Sequence, residues 1–407
     1  RASLVTHAKP QIPRLKIDPN DWVTYRGGND RADTTGVSLG GDVEQSWSAN
    51  VTSGDLPTAP VAAGGLVFVA DRTGTVKAFD SKGEQLWKAF TAGPVYYPPS
   101  VAHDRVYVGS ADGRVYAFAA GTGTLLWTFR VAPEDRWIRV YDKLVSRWPV
   151  AGGVVVEKDT VYAAAGITHY DGTIVVALDA VSGRIKARNA DSGTLAPEVD
   201  GGISMQGNLT IVDGELRFLG GGVYETARYN LETLECRNEP KVQVTSQYRT
   251  AFYPWYPEYG KYVSLEYKCE DGNTLSADAA YEGSAFGNLA LETPPPKGTP
   301  PLVKDEAREF LRRRGRDPGP KHVWRDGTDR RFTSFVVSGD TLLATGHTDN
   351  SPDEPFLVAI NVTNGQDLWK KSLPADVVKG GTAVDSKGRI FVSLENGQLL
   401  SFSPANK

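Results

Sequence analysis

Cysteine, histidine and methionine are scarce in this chain of 407 residues, which has 2 Cys, 5 His and 1 Met. Cys236 and Cys269 lie 33 positions apart (269 − 236), so the sequence has neither a Cys-Cys pair nor the ligand spacing of a zinc site. The motifs HEXXH and GXSXG and the glycine-rich phosphate loops are absent as well. The sequence therefore gives no support to a metal site or to the enzyme classes that these motifs define.

Long apolar runs and a large net charge are also missing. No stretch of 18 apolar residues exists, so the sequence predicts no bilayer-spanning helix. The chain starts RASLVTHAKP, without the apolar segment of a signal peptide, so we expect such a peptide to be absent or already removed. We expect the two ends to be those of a trimmed chain or of a piece of a larger protein. The formal net charge of −4 predicts no general attraction to nucleic acid or anionic membranes, so any anion site must be local.

The sequence is rich in turn-forming and aromatic residues, with 43 Gly, 25 Pro, 17 Tyr and 9 Trp, which suits an all-β protein. Residues 104–130 (DRVYVGSADGRVYAFAAGTGTLLWTFR) contain three short β-runs separated by glycine-containing turns. The same order of strand, turn, strand, turn and Trp-bearing strand occurs in residues 66–87, roughly 40 residues upstream, a period typical of propeller blades.

Residues 106–127 resemble the pyrroloquinoline-quinone-like (PQQ-like) β-propeller repeat, VYVGSxDGxVYALDAxTGxxLW, almost position by position. Residues 67–87 and 161–186 match it more loosely. The resemblance implies a propeller fold and, because most such proteins are extracytoplasmic, a periplasmic or secreted location. The family includes calcium-dependent quinoprotein dehydrogenases and outer-membrane assembly scaffolds, so the resemblance alone does not fix a function.

We therefore predict one all-β domain, a single β-propeller of seven blades, or eight, each with four antiparallel strands. Strand 43–48 should pair with the C-terminal strands of residues 380–402 and close the ring, since each end alone lacks part of a blade. Six further blades are expected at residues 59–90, 98–130, 148–189, 202–238, 261–325 and 332–371.

Residues 1–42 are predicted to form an arm and residues 43–403 the propeller. The fifth blade should contain an insertion, residues 293–320, with an exposed helix at 303–314. Within the arm, residues 22–33 (WVTYRGGNDRAD) resemble a lead-in segment of such repeats, and we expect Trp22 and Tyr25 to pin the arm to the body. The cysteines would fall on an outer and an inner strand, which favours two free thiols and leaves a disulfide open.

Strand alternation sorts the loops onto two faces. The loop between the second and third strands and the connection to the next blade lie on one face, here called the loop face. The turns within the first and last strand pairs lie on the other, here called the turn face. Nearly all of the long aromatic and basic segments fall on the loop face, where such folds place function, and the insertion 293–320 is the exception on the turn face.

His169 and His347 occupy equivalent loops of different blades, and each is followed within two residues by an aspartate. With tyrosines of the same face they form a set of candidate catalytic residues: His169, His347, Tyr170 and Tyr224. Arginine forks bind carboxylate or sulfate, and aromatic rings stack on sugars or roof a channel. The expected substrate-binding residues are Arg136, Trp137, Arg147, Trp148, Arg249, Tyr253, Trp255, Tyr256, Arg330 and Arg331.

Two functions remain open from the sequence. The first is a binding propeller that takes an acidic glycan or a protein partner on the loop face. The second is a polysaccharide lyase that cleaves a uronic-acid glycan by β-elimination, with histidine as base, tyrosine as acid and arginine as carboxylate clamp. Quinone catalysis is disfavoured because the adjacent cysteines that the dehydrogenases use are missing, and we expect no cofactor.

Overall fold

The protein is known from a computed structural model that describes residues 3–7, 11–39, 41–52, 54–140, 142–167, 172–192, 203, 205–219, 226–238, 261–277, 289–294 and 321–405. The regular secondary structure in these ranges is β-strand. These ranges contain no helix long and apolar enough to cross a bilayer. The strands form because β-branched and aromatic residues recur between tight turns, as in β8 and β9, where Gly113 supplies the positive φ of 84° at the connecting turn.

Two strands precede the first complete sheet: β1 (Leu4–Thr6) and β2 (Val43–Asn50). Sheet I contains β3 (Val61–Ala63), β4 (Leu66–Ala70), β5 (Thr75–Phe79) and β6 (Gln85–Phe90). Sheet II contains β7 (Ser100–Ala102), β8 (Arg105–Ser110), β9 (Arg114–Ala119) and β10 (Leu125–Arg130). A hairpin of β11 (Trp137–Val140) and β12 (Lys143–Ser146) follows. Sheet III contains β13 (Val154–Glu157), β14 (Thr160–Ala165), β15 (Ile174–Asp179) and β16 (Ile185–Asn189).

Sheet IV contains β17 (Gln206–Val212), β18 (Glu215–Leu219) and β19 (Ala227–Asn230). Sheet V contains β20 (Leu265–Lys268), β21 (Thr274–Ala277), β22 (Ala290–Glu292) and β23 (His322–Arg325). Sheet VI contains β24 (Arg330–Ser338), β25 (Thr341–Thr348), β26 (Ser351–Asn361) and β27 (Asp367–Ser372). Sheet VII contains β28 (Val377–Val384), β29 (Ile390–Leu394), β30 (Gln398–Pro404) and, as its fourth strand, β2.

The two ends of the chain close sheet VII, as predicted. Strand β2 pairs antiparallel with β30, with Val43 opposite Pro404 and Asn50 opposite Gln398. The six predicted blade spans each enclose or closely match one of sheets I to VI. The total number of blades and the domain limits 1–42 and 43–403 stay predictions, and the insertion 293–320 with its predicted helix lies almost wholly outside the described residues.

Strand β1 was not predicted. It pairs antiparallel with the outer edge of β10, with Leu4 opposite Phe129 and Thr6 opposite Trp127, and makes sheet II five-stranded. An outer edge carries unpaired backbone groups, and this added strand covers it.

Tryptophan–glycine contacts join several consecutive sheets. The Trp87 indole of sheet I donates a hydrogen bond of 2.8 Å to the Ala120 carbonyl of sheet II, and a Cβ on Gly123 would lie 2.6 Å from the Trp87 ring. Glycine is therefore needed where the ring approaches the turn of the next sheet. The same arrangement recurs for three more pairs, which are Trp47 with Gly83, Trp127 with Gly183 and Trp324 with Gly365.

Residues 21–35, here called the plug segment, cross the turn-face end of the first strands. Trp22 and Tyr25 are buried in it, as expected. The Trp22 carbonyl accepts a hydrogen bond from Ala62 N–H of sheet I, at 2.9 Å, and the Val23 carbonyl accepts one from Val101 N–H of sheet II, at 2.8 Å. The plug segment thereby ties the innermost strands of two neighbouring sheets together.

The remaining described sheets are bonded to the plug segment in the same way. Two side chains of the plug segment donate to carbonyls: Asn29 Nδ2 to Val156 O of sheet III at 2.7 Å, and Arg26 Nη2 to Ser264 O beside sheet V at 2.9 Å. Three backbone N–H groups of the sheets donate to the plug segment: Ile211 of sheet IV to Asn29 O at 2.8 Å, Val337 of sheet VI to Asp33 O at 2.6 Å, and Ser386 beside sheet VII to Asp21 Oδ1 at 3.2 Å. One short segment therefore bonds to the first strand, or to a residue within two positions of it, in each of sheets I to VII, and so it crosses the axial channel.

Candidate interaction site on the loop face

The hairpin β11–β12 lies in the connection between sheets II and III, on the loop face. Trp137 pairs with Ser146 and Arg139 with Leu144, so these side chains share one face of the hairpin. Ile138, Val140 and Val145 lie on the other face and pack on the body against Ala111, Ala151 and Ile167. An ion pair between Lys143 and Asp55 fastens the hairpin to the body. One face of the hairpin is therefore fixed, and the other is turned outward.

The outward face presents two large apolar side chains around an arginine. Trp137 is 43% exposed and Leu144 is 66% exposed, and Arg139 and Arg136 are exposed beside them. We call Trp137, Arg139 and Leu144 the hairpin patch. Aromatic and arginine side chains are the residues most often found to dominate protein–protein binding energy.

A polar cluster lies between the loops of sheets V, VI and VII. Lys261 Nζ is 2.6 Å from Asp376 Oδ2, and the Tyr262 hydroxyl is 2.9 Å from His347 Nε2. Glu395 lies near both pairs and forms no side-chain hydrogen bond or ion pair in the described part of the chain. Burial raises the pKa of Glu395, and the Lys261 charge partly offsets this rise.

His347 already uses both ring nitrogens. It is 6% exposed, and its Nδ1 lies 3.2 Å from the Thr348 carbonyl. A carbonyl can only accept, so this bond assigns the proton to Nδ1, and Nε2 accepts from the Tyr262 hydroxyl. To act as the predicted base, His347 would have to exchange Tyr262 for a substrate.

The predicted arginines of sheet VI also have internal partners. Arg331 holds Asp349 through two parallel bonds of 2.7 and 2.6 Å, and the pKa of Arg331 is raised by that pair. Arg330 is buried, and its Nε lies 2.8 Å from Asp326 Oδ2. Both arginines therefore order the loops in this structure.

The predicted residues before sheet III divide between surface and interior. Arg136 and Trp137 are exposed, whereas Trp148 is buried with the Arg147 guanidinium 5.5 Å from its ring. Seven further predicted site residues lie outside the described residues: His169, Tyr170, Tyr224, Arg249, Tyr253, Trp255 and Tyr256. The proposed catalytic cleft that would join His169 and His347 stays a prediction.

Sequence reasoning missed the hairpin and the residues around Glu395. The signal for the hairpin was present, because WIRV and KLVS are two short runs with β-branched and aromatic residues, separated by only two residues in the sequence. Lys261, Tyr262 and Glu395 had no such signal, since the first two precede sheet V and Glu395 follows β29 of sheet VII, so they meet only after the strands assemble.

The residues present do not fit a quinone with its calcium ion. Cys236 and Cys269 are both free and far apart in the chain, and the described ranges bring no three His, Cys, Asp or Glu side chains into a group that could hold a metal.

Residues 38–185 match the family model described as outer membrane protein assembly factor BamB. BamB of Burkholderia pseudomallei is 32% identical over 22% of this chain and 34% of its own length. BamB of Nitrosomonas eutropha is 25% identical over 33% of this chain and 29% of its own length. The chain thus spans about a third of the length of these curated relatives.

Solved structures show the same fold over nearly the whole chain. A quinohaemoprotein alcohol dehydrogenase from Pseudomonas putida HK5 matches with a TM-score of 0.60 at 13% identity, over 96% of this chain and 81% of that protein. The corresponding enzyme of Comamonas testosteroni gives 0.56 at 16% identity, over 95% and 81%.

The sheets, their closure and these matches define a β-propeller. The repeats of residues 67–127 and the family match over residues 38–185 make this part of the chain similar to the PQQ-like repeat propellers.

Proposed function

We propose that this chain is an extracytoplasmic interaction propeller that binds a protein partner during the assembly of outer membrane proteins. The observation that carries the proposal is the hairpin patch, Trp137, Arg139 and Leu144, which stands exposed on the loop face. The hairpin lies within residues 38–185, the segment that matches the assembly-factor family. The names of the relatives support a location outside the cytoplasm, whether periplasmic or secreted.

The patch is suited to a protein partner because it is held in place before binding. The inner face of the hairpin packs on Ala111, Ala151 and Ile167, and Lys143 pairs with Asp55. A preordered patch loses little conformational entropy when it docks, so more of the contact energy remains as affinity. An exposed indole next to an arginine also matches the usual anchors of such interfaces.

Site-specific photocrosslinking in the organism's own cells tests the proposal. A crosslinking amino acid at position 137 or 144 should give one dominant adduct whose partner, identified by mass spectrometry, belongs to outer membrane protein assembly. Position 368 is the matched control, because Leu368 is also apolar and 45% exposed but lies on the outer strand β27. Equal adducts at position 368, or adducts with unrelated abundant proteins at all positions, would overturn it.

The acidic glycan ligand and the lyase reaction are a second candidate, favoured by the His347–Tyr262 pair on the loop face. A base and an acid in contact are the groups that β-elimination needs. Incubation with a panel of uronic-acid polysaccharides should then raise absorbance from unsaturated product, and His347→Ala should abolish the rise. The absence of any rise over the panel would discard the reaction.

A further inference from the structure

Strand β28 contains one exposed residue in an otherwise buried sequence. Its eight residues are VVKGGTAV, and only Lys379 is exposed. A lysine in the first strand of a propeller sheet can reach water only through the axial channel or its mouth, because the other faces of the strand are covered by β29 and the neighbouring sheets.

Residues 378–381 of β28 form a β-bulge. Val377 lies opposite Leu394 and Thr382 opposite Val392, so residues 378–381 stand against Ser393 alone. Bulges of this kind bend a strand and redirect its side chains. Gly380 within the bulge has a φ of +64°, and a Cβ there would lie 2.5 Å from the Tyr25 ring. The plug segment therefore packs directly against the residue next to Lys379.

Lys379 touches water although protein surrounds it. Desolvation, with a contribution from the Arg26 charge, lowers the pKa of Lys379 to about 8. Exposure together with this desolvation places Lys379 in a recess of the channel wall. Because the neighbouring Gly380 packs against Tyr25, the plug segment lines one side of this recess.

Hydrogen-bond donors in this recess lack partners. In the described residues Lys379 Nζ has no ion pair or hydrogen bond, and the hydroxyl groups of Tyr25 and Tyr97 have no hydrogen-bond partner. Tyr25 is only 4% exposed, and its ring centroid lies 5.3 Å from that of Tyr97. None of these three donor atoms is fully buried, so water reaches them, and an acceptor in the recess would take the place of that water.

The charges beneath the recess set the kind of acceptor. Arg26 is already paired with Asp33, with Nε 2.8 Å from Oδ2. Arg31 is engaged by carbonyls, with Nε 3.0 Å from Leu209 O and Nη1 2.7 Å from Tyr25 O. Lys379 is thus the free cation of this group, and one negative charge would neutralise it. A dianion would bring a second negative charge that has no free cation to pair with, and the desolvation of this charge would weaken its binding.

We propose that this recess is a binding well for a single carboxylate group, held by Lys379 Nζ and by the hydroxyl groups of Tyr25 and Tyr97. The carboxylate belongs either to a small free acid or to an acidic side chain of a bound protein segment. The well does not depend on the hairpin patch, so Trp137→Ala leaves carboxylate binding unchanged even if the partner proposal fails.

Nuclear magnetic resonance of ¹³C-dimethylated lysines tests the well. The Lys379 signal is identified by its loss in Lys379→Met, and sodium acetate is titrated at constant ionic strength. We expect a saturable shift of this signal and a rise of its titration midpoint from about 8, because a bound carboxylate favours the charged amine. Lys387, exposed on the turn face, is the matched control and should not respond.

Two variants and a second anion sharpen the result. Tyr97→Phe should weaken acetate binding about five-fold, the effect of one lost hydrogen bond, and inorganic phosphate should bind more weakly than acetate. A glutamate-containing peptide amide that binds at least tenfold more tightly than acetate assigns the well to a protein segment, and weaker peptide binding assigns it to a free acid. A linear shift shared with Lys387, tighter phosphate binding, or an unchanged Tyr97→Phe affinity would overturn the proposal.

Discussion

Two neighbouring interfaces, between sheets II and III and between sheets III and IV, are filled in opposite ways. In one the large side chain comes from the outer strand of the preceding sheet, and in the other it comes from the turn of the following sheet. At the first, the large Trp127 ring covers Gly183. At the second, the position equivalent to Trp127 is Ala187, since Trp127 pairs with Ala117 and Ala187 with Ala177 in the same register. The position equivalent to Gly183 is Leu234, which is fully buried and has a φ of +57°.

The comparison shows that the interface requires a filled volume and does not require tryptophan itself. Leu234 occupies from one side the space that Trp127 occupies from the other, at the expense of a strained backbone for a residue with a Cβ. The lost indole hydrogen bond is also replaced, because Asn189 Nδ2 donates to Leu234 O at 2.8 Å. A tyrosine bond is kept at both interfaces, from Tyr107 to Ala180 O and from Tyr162 to Leu231 O, each 3.0 Å.

The largest expected effect is that of Trp127→Ala. The ring is 1% exposed, and its removal leaves a cavity over Gly183, so the free energy of unfolding should fall by about 3–5 kcal/mol. Denaturant unfolding measures this change. The control is Leu86→Ala on an exposed position of β6, which should cost under about 1 kcal/mol. Similar losses for both variants would contradict the role given to the Trp–Gly contact.

Gly183→Ala should come next, with a loss of about 2–4 kcal/mol. The new Cβ would lie 2.7 Å from the Trp127 ring, and the backbone φ of +71° is unfavourable for alanine. Gly272→Ala separates the two causes, because Gly272 has a φ of +87° and open space around its Cβ position. It should cost only about 1 kcal/mol. A thermal unfolding series of both variants gives the difference, and equal losses would assign the whole effect to the backbone.

Ala187→Trp tests whether the two interfaces are interchangeable. Alone it should destabilise by about 1–3 kcal/mol, since Leu234 fills the space that a tryptophan ring would need. Adding Leu234→Gly should recover part of the loss, and a double-mutant cycle measures the coupling. Additive losses would show that sheets III and IV are spaced differently from sheets II and III.

The smallest expected effect is the difference in the free energy of unfolding between substitutions at Trp87 and at Trp369. Trp87 Nε1 donates to Ala120 O, whereas Trp369 Nε1 is buried without a partner among the described atoms. Trp369 faces sheet VII, whose last two strands come from the two ends of the chain and are not joined by a turn. Trp87→Phe should therefore cost about 1 kcal/mol more than Trp369→Phe, the net value of one hydrogen bond. Urea unfolding with a fixed m value resolves such a difference, and a reversed order would contradict this account.

Local repetition explains why the blades could be predicted. Glycine at the turns, the β-prone run in residues 106–109 and the Trp at the end of several units are short-range signals. Strand β2 was placed correctly because sheet VII otherwise lacks a strand. The plug segment could not be placed in this way. Residues 22–33 resemble a lead-in segment, but the contacts of the plug segment with sheets I to VII depend on where the first strands stand in the ring.

The candidate site divides in the same manner. Long loops mark the loop face in the sequence, and His347 and Arg331 were found there. Their pairing with Tyr262 and Asp349, and the isolation of Lys379, depend on side chains from different sheets and on the bulge at 378–381.

The sequence by itself determined the repeat, the strands of the repeated sheets, the order of those sheets and the closure of sheet VII, because strand patterning and turn chemistry act between neighbours in the chain. Only the tertiary structure decided which charged groups lose water and which find partners. Desolvation and pairing depend on distances through space, and the arm that crosses the channel sets those distances for Tyr25, Arg26 and Lys379.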